Sequence, residues 1–164
     1  SSLNLREHHQ YLQPRHIEMV DTNASQKTTF ADQRETLQAA LMSLFSGKAE
    51  DTEEDLSKLF TPTFKHYDED GGKTSDFTAW VGHIRWLREI LKPGSVNLTI
   101  TQFLRDGNQL AERHISTSEQ PDGHLHEAHT FQFMEIAEDG RIEWIVETVK
   151  QRKSIKDGNY GKEN

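Results

Sequence analysis

The hydrophobic spacing of this chain changes period once, at Lys92-Pro93-Gly94, and that change limits the fold more than any other feature. Before it, apolar residues recur every three or four positions; after it they alternate. A helical stripe buries one side of a helix and an alternating strand buries one face of a sheet, so the first half of the chain must cover the second. Just before the break, "TSDFTAWVGHIRWLREIL" puts Phe77, Trp80, Ile84, Leu87 and Leu91 on one stripe behind Ser75 as N-cap. Two shorter helices are expected upstream. Asp32 and Glu35 have the spacing of a capping box ahead of Leu37, Leu41, Leu44 and Phe45, with Gly47 as the stop. Asp51 or Thr52 opens the next, which buries Leu56, Leu59 and Phe60 before Pro62. "DEDGG" lacks the alternating ligands and terminal glutamate of a calcium loop and is expected to be a turn.

After the break, "SVNLTITQFLRDGNQLAERHISTS" folds back at Asp106-Gly107, a hairpin signal. "GHLHEAHTFQFMEI" and "GRIEWIVETVKQ" follow turns at Pro121-Asp122-Gly123 and Glu138-Asp139-Gly140. The expected class is α+β, with three N-terminal helices packed on one face of a four-strand antiparallel sheet. The domain should span 29–153. Residues 1–28 show no sustained period and are expected to be an arm or tag remnant, so His8, His9 and His16 carry little weight; 154–164 is a polar tail.

Composition removes several classes of function. A formal charge of −8 and the lack of a basic stripe argue against nucleic acid. With no cysteine there is no disulfide, thiolate metal site or cysteine nucleophile, and no segment approaches the twenty or so apolar residues of a membrane span. A cytoplasmic protein is expected. No Walker motif, dinucleotide fingerprint or nucleophile elbow is present, and no cofactor is expected.

The ordered set "FADQRETLQAALMSLFSG", "DLSKLFTPTFKHY", "DFTAWVGHIRWLREIL", "LAERHISTS" and "HTFQFMEIAEDGRIEWIVET" resembles the nuclear-transport-factor-2-like superfamily, in its SnoaL-like branch, over residues 29–150. The resemblance implies a curved sheet wrapped around the long helix as a cone-shaped, apolar pocket, often dimeric through the outer sheet face. It also implies functions that range from polyketide cyclases, dehydratases, ketosteroid isomerases and epoxide hydrolases to proteins without catalysis. Fold alone does not choose among them. The cyclases carry an aspartate deep in the last strand; Lys150 stands near that place here, and Glu147 is the one carboxylate of the strand that could substitute.

Alternation sorts the site candidates by face. Leu125, Glu127, His129, Phe131 and Phe133 share one face of their strand, and His124, His126, Ala128, Thr130 and Gln132 the other. The two phenylalanines suggest that the first face lines core or pocket, which makes His129 the candidate acid or base, oriented by Glu127 or by Glu147. A histidine satisfied by a backbone carbonyl would look the same in sequence. His124 and His126 point the same way, as a metal would need, but no further ligand lies at a suitable spacing, and no metal is expected. Arg113 and His114 face opposite ways, so one of them enters the pocket. Phe64, Tyr67, Trp80, His83, Phe131 and Trp144 complete an aromatic lining suited to a small hydrophobic or aromatic molecule. Which face of the last strand looks inward stays open, because one bulge would swap Glu147 with its neighbours.

Two functions follow: cofactor-free proton transfer, such as isomerisation, cyclisation or dehydration, or a non-catalytic ligand-binding or dimerisation module. The outer face is expected to carry Thr99, Thr101, Thr130 and Gln132 beside an apolar patch of Met134, Ile136 and either Trp144 or Ile145. Such a patch is suited to a two-fold homodimer.

Overall fold

The computed structural model describes residues 27–155. Apart from their innermost few residues, the expected arm and tail, with His8, His9 and His16, lie outside the described residues. A 3-10 turn over Phe30–Asp32 leads into α1 (Arg34–Ser43); a second such turn, Ala49–Asp51, precedes α2 (Thr52–Ser57). Then come β1 (Phe60–Asp68), β2 (Lys73–Asp76), α3 (Phe77–Ile90), β3 (Asn97–Asp106), β4 (Gln109–Glu119), β5 (Leu125–Ile136) and β6 (Ile142–Ile155). No helix of the described residues is long and apolar enough to cross a membrane.

The three helices and the four-strand meander stand where the spacing put them, but the sheet is larger than expected. It is an open, mixed sheet of six strands in the order β2-β1-β6-β5-β4-β3. Two strands were missed in sequence: β2, expected as turn and cap, and β1, which pairs parallel with β6 and antiparallel with β2. Pro62 concealed β1, because a proline cannot donate to a ladder and argues against a central strand. It is tolerated because the β1–β6 register jumps between Phe60 and Lys65, and β2 pairs only with Lys65–Asp68, so no regular ladder needs its N–H. Phe60 is therefore the first residue of a strand and not the last of a helix. The caps also differ in detail. α1 starts behind Gln33 with no side-chain cap, and Asp76, not Ser75, caps α3 by accepting from the Ala79 N–H at 2.9 Å.

The core lies on the concave side of the sheet. Leu37, Leu41 and Leu44 from α1, Leu56 from α2 and Ile84 from α3 meet Leu98, Ile100, Leu110, Met134 and Ile145 from the strands. α1 rests on β3, and α3 rests on β1 and β2. At Gly140, φ is +89° and a Cβ would collide with the carbonyl of Thr28, whose own N–H donates to Asp139 O at 2.9 Å. The N-terminal end of the described chain is thereby fastened to the β5–β6 turn.

Arg88 joins the helices. Its guanidinium side chain is 1% exposed and donates to Leu44 O (2.7 Å), Lys48 O (2.9 Å) and Asp55 Oδ2 (2.9 Å). One fork thus satisfies the orphan carbonyls at the end of α1 and ties α2 to α3. Arg88→Ala leaves the carbonyl of buried Leu44 without this donor, while Asp55, about a third exposed, keeps Lys58 nearby, and should cost about 1–3 kcal/mol, the range for a buried polar group left unsatisfied. Gly47→Ala should also destabilise, since its Cβ would stand 2.5 Å from the same guanidinium. Urea denaturation of both variants checks this, and Arg88→Lys should recover only part of the loss.

Candidate active site

Both ends of the concave face are covered by helices, but part of the middle strands is not, and there the sheet walls a cavity of about 390 Å³. Leu41, Phe45, Trp80, Leu87 and Leu98 are among its apolar lining. Register lays the strand residues of its wall out in rows, the first of which also holds Glu112, buried outside the lining. Glu112, Gln132 and Glu147 are direct cross-strand neighbours on β4, β5 and β6; His114, Thr130 and Val149 form the next row, then Ser116, Ala128 and Gln151, then Ser118 and His126. Gln132 and Thr130 are buried while Gln151 is exposed, so the cavity opens toward the β4–β5 turn.

Glu147 is the centre of the closed end. His66 Nε2 donates to its Oε1 at 3.2 Å, and Gln132 Nε2 donates to Oε2 in a short hydrogen bond. The His66 ring stacks on Trp80, with centroids 4.6 Å apart, so its plane and hence its N–H direction are fixed. Burial alone would push the Glu147 carboxyl up. The hydrogen bonds from His66 and Gln132 come first among the influences that outweigh it and hold the group below the ordinary carboxylate value; His66 and His114 would add to the pull only when protonated. Glu112, one strand beyond Gln132, is pushed the other way: burial raises it, against a weaker opposing pull from His114, whose Nδ1 lies 2.8 Å from Glu112 Oε1. His83 lies between Trp80 and Trp86 on the cavity wall, and burial first, then the nearby His66, lowers its basicity.

The expected site residues divide between two faces. Glu147, His114, Trp80 and His83 line the cavity. Phe64 is fully buried behind the wall, 4.5 Å from Phe60 and 6.0 Å from Trp80 between ring centroids. His129, Glu127, Arg113, Phe131, Tyr67 and Trp144 are on the opposite, convex face. There Arg113 donates to His129 Nδ1 at 3.0 Å and His129 Nε2 donates to Glu127 at 2.9 Å, while Tyr67 and Trp144 share a shallow groove. His129 therefore does not meet Glu147. The face of Phe131 and Phe133 is the outer one, 44% and 66% exposed respectively, because Thr130, Gln132 and Met134 take the buried side.

Three residues of the site were not found by spacing. His66 was hidden with β1. Glu112 alternates with Leu110 and His114, and Gln132 with Met134 and Ile136, so the buried apolar member of each strand already marked the cavity face.

No protein-family model matches the chain, and no curated protein matches it. Solved structures do. An isomerase candidate of the SnoaL-like family from Agrobacterium tumefaciens superposes with a TM-score of 0.54 at 14% identity, over 73% of this chain and 98% of that one. IdmH, a polyketide cyclase candidate from Streptomyces antibioticus, gives 0.52 at 15% over 68% and 89%. An epoxide hydrolase of the LEH-like type from M. tuberculosis gives 0.52 at 9% over 69% and 81%. At these identities the likeness is one of fold: the chain has the NTF2-like, SnoaL-like architecture, as its motif order indicated.

Because the Glu147 pKa is lowered on folding, its contribution to stability is present above the ordinary glutamate value of 4.5 and is lost as pH falls through the folded value. Glu147→Gln should therefore be less stable than wild type at neutral pH, and the two should converge on acidification. Urea midpoints measured across the acid range check both the sign and the window.

Proposed function

We propose that the cavity binds a small, largely apolar molecule and catalyses cofactor-independent proton transfer on it, as in an isomerisation, cyclisation or dehydration, with Glu147 as the base. One observation carries this reading: a carboxylate kept ionised inside a mostly apolar cavity, with His66 and Gln132 fixing its two oxygens. A carboxylate shielded from bulk water, with no solvent shell to shed, is poised to take a proton from a carbon or hydroxyl brought against it. The aromatic ledge of Trp80, His83 and Trp86 along α3 supplies a flat surface for the substrate to lie on.

Glu147→Gln should retain ligand binding and lose about 10²–10⁴-fold in kcat/KM, the usual worth of a positioned acid or base. The acid limb of the pH–rate profile should fall below pH 4.5, since the group is held below that value. His129→Gln should leave the profile unchanged. A screen of unsaturated and β-hydroxy ketones, followed by the quenching of Trp80 and Trp86 fluorescence, provides the substrates. Undiminished turnover in Glu147→Gln would remove it from the chemistry. Binding without turnover of any compound would favour the ligand-binding module.

We further propose that the convex face forms a two-fold homodimer. Leu104, Phe133, Trp144 and Phe131 are 72%, 66%, 48% and 44% exposed and lie on adjacent strands. Contiguous apolar surface of this kind marks an interface. The patch differs in membership from the one expected, because Met134 and Ile136 are buried and Thr130 and Gln132 face the cavity. Light scattering should give twice the chain mass at micromolar concentration, and Phe133→Lys should give the single mass.

A further inference from the structure

The polar row at the closed end contains a proton that an ordinary reading of it leaves out. Glu112 Oε2 and Gln132 Oε1 are both buried, both acceptors, and both without a hydrogen-bond partner among the described residues. Their residues are directly opposite across the β4–β5 ladder, where Cβ atoms stand about 4.5–5.5 Å apart. The Glu112 side chain has no solvent exposure, so water cannot solvate Oε2 from outside. A bare buried acceptor is costly, and one hydrogen shared between the two would satisfy both.

The Gln132 amide cannot turn over to relieve this. Its nitrogen donates to Glu147 Oε2, and a flip would set carbonyl oxygen against carboxylate oxygen. Among the described residues no lysine or arginine hydrogen-bonds Glu112. Its one bonded side-chain partner there is His114, at Oε1; its register partner on β3 is Phe103; and along the row lies Glu147, a like charge, backed by His66 on β1.

We propose that Glu112 is a neutral carboxylic acid in the resting protein, carrying its proton on Oε2 and donating it to Gln132 Oε1, so that His114 turns an unprotonated Nε2 toward the cavity. His114 Nδ1–H then donates to Glu112 Oε1. The alternative, glutamate paired with imidazolium, holds the same number of protons and the same net charge. Only the position of one hydrogen differs, on Glu112 Oε2 or on His114 Nε2. Gln132 decides it, because Glu147 fixes which end of the amide faces Glu112. Burial, which raises Glu112, acts in the same direction. Glu112 acts through Gln132 and His114 and is a positioning residue.

This inference rests on the reading of Glu147 as an ionised acceptor, and it extends that reading to the ligand. At its closed end the cavity then presents two acceptors, the Glu147 carboxylate and His114 Nε2, beside the indole N–H of Trp80, which is buried without a partner among the described residues. A ligand that brings its own protons, as hydroxyl or N–H groups, satisfies this set. A carboxylate does not.

Two measurements on the full chain without any ligand test the proposal. Nitrogen-15 NMR of the wild type at neutral pH should show His114 protonated at Nδ1 and bare at Nε2; protonation of both nitrogens overturns it. The second is thermal unfolding of Glu112→Gln against wild type across pH. A glutamate whose pKa rises on folding makes the folded chain lose stability as pH climbs from 4.5 through the folded value, and an amide does not titrate. The melting temperature of Glu112→Gln relative to wild type should therefore rise with pH over that window. A difference that stays flat over that window, as for an ionised Glu112 beside a neutral His114, overturns the proposal; the imidazolium-paired form holds the same number of protons, gives the same slope, and is separated by the NMR measurement. Glu112→Gln can still donate to Gln132 and accept from His114, and should keep the His114 tautomer, whereas Glu112→Ala should lose it. None of these readouts involves turnover, so an active Glu147→Gln would overturn the catalytic reading and leave the placement of this proton standing.

Discussion

The structure depends on where its helices leave the sheet uncovered. α3 has 14 residues, a length of about 21 Å at 1.5 Å per residue. It braces β1 and β2 at one side of the sheet, α1 braces β3 at the other, and Arg88 links the two braces through the loop around α2. A six-strand sheet is wider than that support. Leu110, Met134 and Ile145 on its middle strands pack under the helices, but farther along β4, β5 and β6 the same face walls the cavity, and a twisted sheet with both sides propped encloses space there. The cavity is thus a consequence of coverage. Because no helix packs on that strip, its residues are free to be polar, and Glu112, His114, Thr130, Gln132 and Glu147 occupy it.

Parity along the strands then separates the chemistry. Among the described residues the pattern Glu-x-His occurs twice, as Glu112-x-His114 on β4 and Glu127-x-His129 on β5, with contacts of 2.8 Å through Nδ1 and 2.9 Å through Nε2. The contact lengths match, and the ring nitrogens differ. Glu112 and His114 are on the concave side and are buried; Glu127 and His129 face out, where Arg113 and Arg152 stand near and solvent reaches them. A shift of one residue in the register of β5 would exchange its two faces. The identical motif is therefore a candidate for chemistry on one strand and surface structure on the other.

This is also why the architecture was more legible in the chain than the site. The period change at Lys92-Pro93-Gly94, the hairpin at Asp106-Gly107 and the stripe of α3 are local signals, and each became the element expected. The face of a strand is set by its partners. Phe131 and Phe133 looked like core because large apolar residues usually are, yet Met134 and Ile136 on the other parity were the buried pair. Phe131 and Phe133 are available to the outside because the sheet is amphipathic in the reverse sense at its centre, with polar groups within and aromatic rings without. His66 was illegible for a different reason: β1 needs β6, about 80 residues later, to form its ladder, and Pro62 argues locally against it. Glu147 was visible as a carboxylate in the right strand, but its partners lie on β1 and β5, and no spacing within β6 names them.

Two glutamates in one row, a single glutamine between them, end with opposite tendencies. Burial is the first influence on both, and it disfavours charge in each case. What separates them is the count of donors. Glu147 receives N–H groups from His66 and Gln132 on its two oxygens; Glu112 receives one from His114 on a single oxygen, and its other oxygen has no partner among the described residues. A buried carboxylate stays ionised when its lone pairs are met by donors and accepts a proton when they are not. One amide that gives its N–H to Glu147 therefore helps to hold that glutamate ionised and gives Glu112 no such help, so two like side chains in one row are electrostatically unequal.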